Sequence, residues 1–403
     1  MRVAIVPNLT RKHAYEVTKE VCDFLSENGV EYFFEDNLKG KIDFANRYEE
    51  TDRLLASCDM VIAVGGDGSI IHAAKKACKY GKGRVTSVYF GGGTPTSVDT
   101  SYPVDMLREI FASFDVSPDA EISIEANPAT FDREKLLALK TAGFNRISVG
   151  VQSFFDDDLK KLGRIHSGDE AKSAVALARE IFDNVSIDLM IGIEGQTKER
   201  LKQNLDVAAK LKVNHVSAYM LIVEDGTPLK KLVESGKYSP VSEDDCAVLY
   251  DYASKYLNSL GFERYEVSNF AKGGAYSRHN MGYWEMKNYL GIGLSAHSLF
   301  DRRRFYNVSD IKEYISAPNN ELEEEILSDN DFEEEYVMLA LRTKKGIGLA
   351  DYAARFNVSF LKKYSEKLKK LAKFLDITPS SVSIRGEFVA VGSAITAEVI
   401  SSS

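Results

Sequence analysis

The sequence predicts an α/β protein with a mostly parallel sheet, open or closed into a barrel, followed by a small helical module. Short apolar runs alternate with stretches of helical apolar spacing as far as about residue 270, and this alternation is typical of βαβ units. After about residue 300 the pattern changes to short helices. A length of 403 residues is enough for two or three domains.

The strand candidates are short, rich in β-branched and aromatic residues, and bounded by turn residues. In chain order they are RVAIVP, EYFFE, MVIAV, TSVYF, EISIE, RISVGV, VSIDLM and HVSAYM. The stretches between them include AYEVTKEVCDFLSENG and DEAKSAVALAREIF, whose spacing predicts amphipathic helices. Asn28-Gly29 and Ala142-Gly143 are expected to end two helices, because Gly accepts the left-handed backbone conformation found there.

The C-terminal module is predicted to contain two helices and a weak strand pair. LADYAARFN and FLKKYSEKLKKLAKFL are expected to form a helix–turn–helix. SVSIRG and EFVAVG are expected to form a small wing joined through Gly386. The acidic runs ELEEE and DFEEE would repel phosphate, so we expect a packing unit without a DNA-binding role.

Charge excludes several classes of partner. The formal net charge is −9, whereas nucleic acids and anionic membranes require a basic face. The first residues, MRVAIVPNLTRKH, lack the pattern of a secretory signal, and the apolar runs are too short to span a bilayer. We therefore expect a cytoplasmic protein with no nucleic-acid partner and at most peripheral membrane association.

The cysteines predict no metal site. Cys22, Cys58, Cys78 and Cys246 are separated by 36, 20 and 168 residues, whereas zinc and iron–sulfur sites normally use closely spaced cysteines. All four are expected to be buried small residues of a protein in a reducing compartment.

The first of two glycine-rich loops reads GGDGS and follows the run MVIAV. Its backbone N–H groups and the helix N-terminus after it suit a di- or triphosphate, although Gly and Asp are also common in plain turns. With RVAIVPN and CDMVIAVGGDGSIIHAAKKA, residues 1–82 resemble the N-terminal domain of NAD kinases. The resemblance implies ATP and NAD as ligands, with Asp67 as general base and Gly65, Gly66 and Gly68 at the phosphates. The kinase C-terminal domain is not found downstream, so we expect a Rossmann-like fragment without kinase activity.

The second glycine-rich loop, GGGTPTS, begins a series of motifs that extends to the end of the chain. In order these are EISIEANPATF, AGFNRISVGVQSF, LGRIHS, SIDLMIGIEGQT, HVSAYMLIVEDGTPL, RYEVSNFAKGG, RHNMGYW, YLGIGLSAHS and SAITAEVI. They resemble the radical S-adenosylmethionine (SAM) proteins of the HemW and oxygen-independent coproporphyrinogen III oxidase-like family. The resemblance implies a partial (β/α) barrel at 83–300 and a helical, winged-helix-like module at 301–403. It also implies a heme-binding chaperone in heme and porphyrin metabolism, with heme and a heme-acceptor protein as partners.

The same resemblance implies a SAM site at the C-terminal edge of the barrel. Its expected residues are Gly92, Gly93 and Thr94 at the methionyl end, Glu125, Gln152 and Asp188 at the amino and ribose groups, and Arg164 at the carboxylate. Carboxylates and amides suit hydroxyl groups, and Arg suits a carboxylate. Parallel α/β folds place ligands at this edge. Taken singly, each residue is explained equally well as a surface or capping residue.

The run RHNMGYW matches the HNxxYW signature that the family resemblance links to heme binding. The matching residues are His279, Asn280, Tyr283 and Trp284. A histidine can serve as an axial ligand of heme iron, and aromatic rings can stack on a porphyrin. Without the family, His279 would be interpreted as a satisfied core histidine.

The CxxxCxxC loop that opens a radical SAM barrel is missing from this chain. In the family its three thiolates hold a four-iron–four-sulfur cluster that cleaves SAM reductively. NAD-kinase-like residues stand in its place here, so we expect SAM or heme binding without radical chemistry. Two alternatives stay open: an active kinase or radical enzyme, and a non-functional product of gene fusion or sequence assembly.

Overall fold

The computed structural model describes residues 2–7, 14–45, 47–50, 53–54, 60–64, 83–316 and 321–401. Within these ranges the chain forms four sheets connected and covered by helices. The predicted α/β architecture is confirmed, and each strand candidate of the alternating part forms a strand. No helix in the described ranges is both long and apolar enough to cross a membrane.

The N-terminal part is a four-stranded parallel sheet of order β3-β2-β1-β4. Its elements are β1 (Arg2–Pro7), α1 (Ala14–Glu27), β2 (Glu31–Glu35), a 3-10 turn (Asp36–Leu38), β3 (Tyr48–Glu49) and β4 (Met60–Val64). Val3, Ile5 and Phe34 form its core together with Cys22, which is buried as predicted. Gly29 follows α1 with a φ of +67°, which confirms the predicted stop signal.

The central part is a curved sheet of seven strands, in the order β10-β11-β9-β8-β7-β6-β5. The strands are β5 (Val85–Phe90), β6 (Val116–Ala126), β7 (Arg146–Gln152), β8 (Asn184–Ile191), β9 (His215–Met220), β10 (Glu263–Arg264) and β11 (Asn269–Ala271). The neighbours from β5 to β9 are parallel, whereas β10 and β11 are antiparallel. This arrangement is the partial barrel that the sequence predicts.

Helices connect the strands of this sheet, and several of them pack on one of its faces. They are α2 (Ser101–Ser113), α3 (Arg133–Ala142), α4 (Asp156–Lys161), α5 (Gly168–Ile181), α6 (Lys198–Lys210), α7 (Pro228–Glu234) and α8 (Glu243–Ser259), with 3-10 turns at Pro95–Ser97 and Pro128–Thr130. Ser167 and Glu170 form a capping box that starts α5. Gly143 ends α3 in the left-handed conformation, as the Ala142-Gly143 signal predicts.

The alternation of side chains along each strand divides the large sheet into an apolar and a polar face. The apolar face packs on the helices and carries Ile122, Ile124, Ile147, Val149, Val185, Ile187, Val216 and Ala218. The opposite face is polar. Its register pairs Glu125 with Ser148 and Asp188 with Ser217, so polar groups of four strands meet on this surface.

The remaining part contains two antiparallel three-stranded sheets and a second core around Val337, Tyr352 and Phe360. Its strands are β12 (His297–Phe300), β13 (Arg303–Asn307), β14 (Glu321–Ile326), β15 (Ile347–Gly348), β16 (Leu375–Ile377) and β17 (Ser381–Ile384). Its helices are α9 (Arg278–Trp284), α10 (Ile311–Ser316), α11 (Asp329–Ala340), α12 (Leu349–Phe356), α13 (Phe360–Lys363), α14 (Ser365–Leu371) and α15 (Gly392–Ile400).

The predicted wing is wrong in one of its two strands. SVSIRG contains β17, but the EFVAVG stretch lies in a 3-10 helix at Gly386–Val391. β17 pairs with β15 and β16 instead. Phe388, in this 3-10 helix, packs edge-on against Phe374, with the ring centroids 4.9 Å apart.

Candidate functional site

The predicted SAM ligands Glu125, Gln152 and Asp188 lie on the polar face of the large sheet, in the C-terminal halves of β6, β7 and β8. Glu125 and Asp188 are each hydrogen-bonded to a side chain of the neighbouring strand, and Gln152 is hydrogen-bonded to Tyr219 on β9, two strands away. Because parallel strands end at the same edge of a sheet, three distant parts of the sequence form one connected polar surface.

Glu125 is held by β5 and by the start of the second glycine loop. The hydroxyl of Tyr89 donates to Glu125 Oε1 at 2.6 Å. A Cβ atom at Gly91 would lie 2.6 Å from the Tyr89 ring and 2.9 Å from Glu125 Oε1. Only glycine therefore fits at position 91 beside this hydrogen bond. The sequence reasoning named the next two glycines but not Gly91 or Tyr89.

Asp188 is a half-buried carboxylate on the polar face. Ser148 on β7 donates to Asp188 Oδ1 at 3.3 Å, and Ser217 on β9 is a second donor. Burial raises the pKa of Asp188 to about 6, and the negative charge of Glu125 adds to this effect. The hydrogen bonds and the positive charge of Arg164 oppose the rise. The predicted residues Glu125, Asp188 and Arg164 therefore share one electrostatic environment.

Gln152 has an unusual backbone at the end of β7. Its φ is +67°, a conformation that non-glycine residues seldom adopt and that is often found at functional sites. The β7–β8 register shifts between Val149 and Gln152. The Gln152 Oε1 atom accepts from the Tyr219 hydroxyl at 2.8 Å, so its amide is presented to the same surface as Asp188.

The loop at Gly92, Gly93 and Thr94 follows β5 directly. Gly92 has a φ of +81°, and both glycines are exposed with open space around the Cβ position. The carbonyl of Thr94 accepts the backbone N–H of Ser97 at 2.8 Å. Of the three glycines of this loop, Gly91 is the one whose Cβ position lies next to Glu125.

The RHNMGYW motif forms the short helix α9, whose start is fixed from inside the barrel. Ser277 is the N-cap and accepts the backbone N–H of Asn280 at 3.2 Å. The buried carboxylate of Glu121 accepts the backbone N–H groups of Arg278 and His279, each at 3.1 Å. Glu121 also lies 3.9 Å from Arg146, and both side chains are buried. A negative charge at this position favours the helix N-terminus.

His279 lies against the polar side of β5. Its Nδ1 atom is 3.2 Å from the Ser87 hydroxyl, and its Nε2 atom is 2.9 Å from the Tyr283 hydroxyl. The imidazole stacks on the ring of Tyr89 at a centroid distance of 4.7 Å and an angle of 13°. Burial lowers the pKa of His279 to about 4, so the ring is neutral at physiological pH.

The other residues of the motif extend from His279 toward the C-terminal module. Tyr283 is 40% exposed and meets the ring of Tyr289 edge-on at 4.7 Å. Trp284 lies under the guanidinium of Arg342, which is 5.9 Å from its ring centroid. The structure thus brings His279 and Tyr283 into direct contact, while Trp284 contacts another part of the chain.

Three family models match the sequence. They are the radical SAM superfamily at 68–208, the HemN C-terminal domain at 327–374 and the ATP-NAD kinase N-terminal domain at 3–81. The heme chaperone HemW of Bacillus subtilis is 35% identical over 303 residues, which cover 73% of this chain and 79% of that protein. The chain belongs to the HemW family of radical SAM proteins.

Further relatives agree with membership of the HemW family. The mitochondrial radical S-adenosyl methionine domain-containing protein 1 of Danio rerio is 40% identical over 218 residues, which cover 54% of this chain and 49% of that protein. The solved structure of Escherichia coli coproporphyrinogen III oxidase (HemN) superposes with a TM-score of 0.69 at 21% identity, covering 83% of this chain and 81% of that chain. This likeness confirms the partial barrel.

The N-terminal part of this HemW-family chain matches a second family. The kinase and radical SAM models overlap at residues 68–81. The predicted kinase-like residues Asp67, Gly65, Gly66 and Gly68 lie outside the described residues.

The cysteines do not fit the cluster expected of a HemW-family radical SAM protein. Cys22 and Cys246 lie buried on α1 and α8, and burial raises the pKa of both thiols. Cys58 and Cys78 lie outside the described residues. Two cysteines at most are therefore left for a cluster that needs three thiolates. Within the described ranges no group of His, Cys, Asp and Glu residues is arranged to hold a metal ion.

Sequence reasoning missed a buried polar network below the SAM residues. His215 contacts the Ser186 hydroxyl at 2.6 Å and the Tyr265 hydroxyl at 2.7 Å. Tyr265 in turn accepts the backbone N–H of Ser277 at 3.1 Å, so the network leads to the N-cap of α9. The alternation in HVSAYM places His215 on the same face as Ser217, which is the signal that could have identified it.

Proposed function

We propose that this chain is a HemW-like heme-binding chaperone that delivers heme to an acceptor protein without radical chemistry. The observation that carries the proposal is the setting of His279. Its imidazole is neutral, is oriented by Ser87, and lies beside the half-exposed Tyr283. A neutral imidazole with one nitrogen fixed by a hydrogen bond suits iron coordination by its other nitrogen.

Heme would reach His279 from the side of Tyr283. Because the Ser87 hydroxyl holds Nδ1, iron would bind Nε2 in place of the Tyr283 hydroxyl. Tyr283 is 40% exposed, so its ring can rotate away without disturbing a core. The edge-on ring of Tyr289 next to it offers an apolar surface to the porphyrin.

We propose that SAM binds the polar face at Glu125, Gln152 and Asp188, with Arg164 nearby. The tight fit at Gly91 and the half-buried, hydrogen-bonded carboxylate of Asp188 support a site for a ligand with a positive charge and hydroxyl groups. In the radical SAM family the SAM molecule supplies a radical when a reduced cluster cleaves it. Two available cysteines cannot supply three thiolates, so the proposed role of this site is binding alone.

A heme titration tests the proposal. We expect saturable binding with a shifted Soret band and quenching of Trp284, which is the one tryptophan of the chain. The variant His279→Ala is expected to lose about tenfold or more in heme affinity. The control is His297→Ala, because His297 is exposed and stacks on Tyr306 in another sheet. Equal heme affinity of wild type and His279→Ala would overturn the proposed site.

The match to the kinase N-terminal domain makes NAD kinase activity a second function to test. We propose that this part of the chain is a fragment without phosphotransfer activity, since no second kinase domain follows in the sequence. NADP formation from NAD and ATP, abolished by Asp67→Asn, would establish the kinase alternative. Absence of heme, SAM and nucleotide binding together would favour a non-functional fusion.

A further inference from the structure

Tyr89 contacts one residue of each proposed site. Its hydroxyl donates to Glu125 Oε1 at 2.6 Å on the SAM side. Its ring lies parallel to the imidazole of His279 on the heme side, with centroids 4.7 Å apart. A single side chain of β5 therefore spans the two sites.

The Tyr89 ring is confined on the side of Gly91. The Cα of Gly91 approaches it so closely that an added Cβ would lie 2.6 Å from the ring. Burial and the negative charge of Glu125 raise the pKa of Tyr89 far above its ordinary value, so the phenol remains a hydrogen-bond donor. The protonated phenol donates to Glu125, so the position of the Tyr89 hydroxyl depends on the position of the Glu125 carboxylate.

We propose that Tyr89 couples the two sites, so that SAM bound at Glu125 tightens the binding of heme at His279. This inference rests on the proposed function. A carboxylate accepts several hydrogen bonds at once, so a ligand can bind Glu125 while Tyr89 stays bonded to it. The ligand then fixes Glu125, the hydroxyl of Tyr89 is fixed with it, and the ring holds the imidazole in place.

The physical basis of the coupling is the ordering of His279. Heme binding must immobilise the imidazole, and a ring that is already held loses less conformational freedom. The effect must be reciprocal, because the binding free energies of two ligands on one protein are linked. Heme therefore has to tighten SAM binding by the same factor.

Four dissociation constants measured on the full chain test the coupling. Heme is titrated with and without saturating SAM, and SAM is titrated with and without heme. We expect each ligand to tighten the other by about fivefold or more, by equal factors. In Tyr89→Phe the ring remains stacked on His279 but the hydroxyl is gone, so the factor is expected to fall to one while heme still binds in the absence of SAM.

The matched control is Tyr256→Phe. It removes a similar hydrogen bond, from the Tyr256 hydroxyl to Asp206 Oδ1 at 2.5 Å, between two helices outside both sites. This variant should keep the full coupling factor. A factor of one or below in the wild type, or an unchanged factor in Tyr89→Phe, overturns the coupling. Failure of the proposed function would be seen separately, in the titration of heme without SAM. Either heme would not bind, or the His279→Ala variant would bind it as tightly as the wild type.

Discussion

Glu121 and Arg146 form an ion pair inside the large sheet, with 3.9 Å between their charged atoms and side-chain exposures of 4% and 3%. The same carboxylate accepts two backbone N–H groups at the start of α9. A buried charge pair on β6 and β7 therefore stabilises the start of α9, the helix that contains the RHNMGYW motif.

The variant Glu121→Ala should be strongly destabilising. It leaves Arg146 buried without its charged partner and removes the acceptor for two backbone donors, and breaking a buried pair in this way typically costs about 3–5 kcal/mol. The free energy of unfolding measured by urea denaturation checks this. Glu180→Ala is the control, because the Arg133–Glu180 pair is exposed and should contribute less than about 1 kcal/mol. Equal losses in both variants would contradict the role of Glu121.

The variant Ser87→Ala should weaken heme binding by about tenfold. The Ser87 hydroxyl is the hydrogen-bond partner of His279 Nδ1, and its loss frees the imidazole to turn. The comparison is Ser123→Ala on the adjacent strand, because the buried Ser123 hydroxyl has no hydrogen-bond partner among the described residues. Heme titration measures the affinity of the two variants. A larger loss of heme affinity in Ser123→Ala than in Ser87→Ala would be evidence against the proposed orientation of His279.

The variant Gly91→Ala should lose SAM affinity by about tenfold or more. Its Cβ would enter the space between Tyr89 and Glu125, and one of the two must move. Gly83→Ala, two residues before β5, adds a methyl group to open space and should bind SAM normally. Equilibrium dialysis with labelled SAM measures both, and unchanged binding by Gly91→Ala would contradict the proposed role of the close contact at Gly91 in the SAM site.

SAM binding should strengthen as the pH rises from 5 to 7. The pKa of Asp188 is raised to about 6, so the carboxyl is protonated at the lower end and ionised at the upper end of this range. The ionised form accepts hydrogen bonds and attracts the positive charge of SAM. Asp188→Asn should bind weakly at every pH, without this dependence. His279, whose pKa is lowered to about 4, does not titrate in this window.

Most of the fold could be predicted from the sequence. The eight strand candidates and the two glycine stop signals depend on local patterns, and the structure contains each of them. The EFVAVG strand failed because its apolar residues are equally suited to a strand and to a helical turn packed on a core. β17 pairs with β16 instead, and local spacing does not reveal such a tertiary partner.

Residues of the candidate site could be predicted only where they lie within a family motif. The resemblance supplied Glu125, Gln152 and Asp188, but it was silent about Tyr89 and Ser87. Those two are separated from His279 by about 190 residues and meet it only through the packing of α9 on β5. Glu121 was missed for the same reason, since a glutamate within an apolar strand gives no sign of the helix it will cap.

The most direct test of the central claim is anaerobic reconstitution with iron and sulfide, followed by iron and sulfide analysis and a SAM cleavage assay. The chain is expected to hold no stable four-iron–four-sulfur cluster and to form no 5′-deoxyadenosine, while its heme binding persists. About four iron and four sulfide per chain, with reductant-dependent formation of 5′-deoxyadenosine, would contradict a HemW-family protein without radical chemistry.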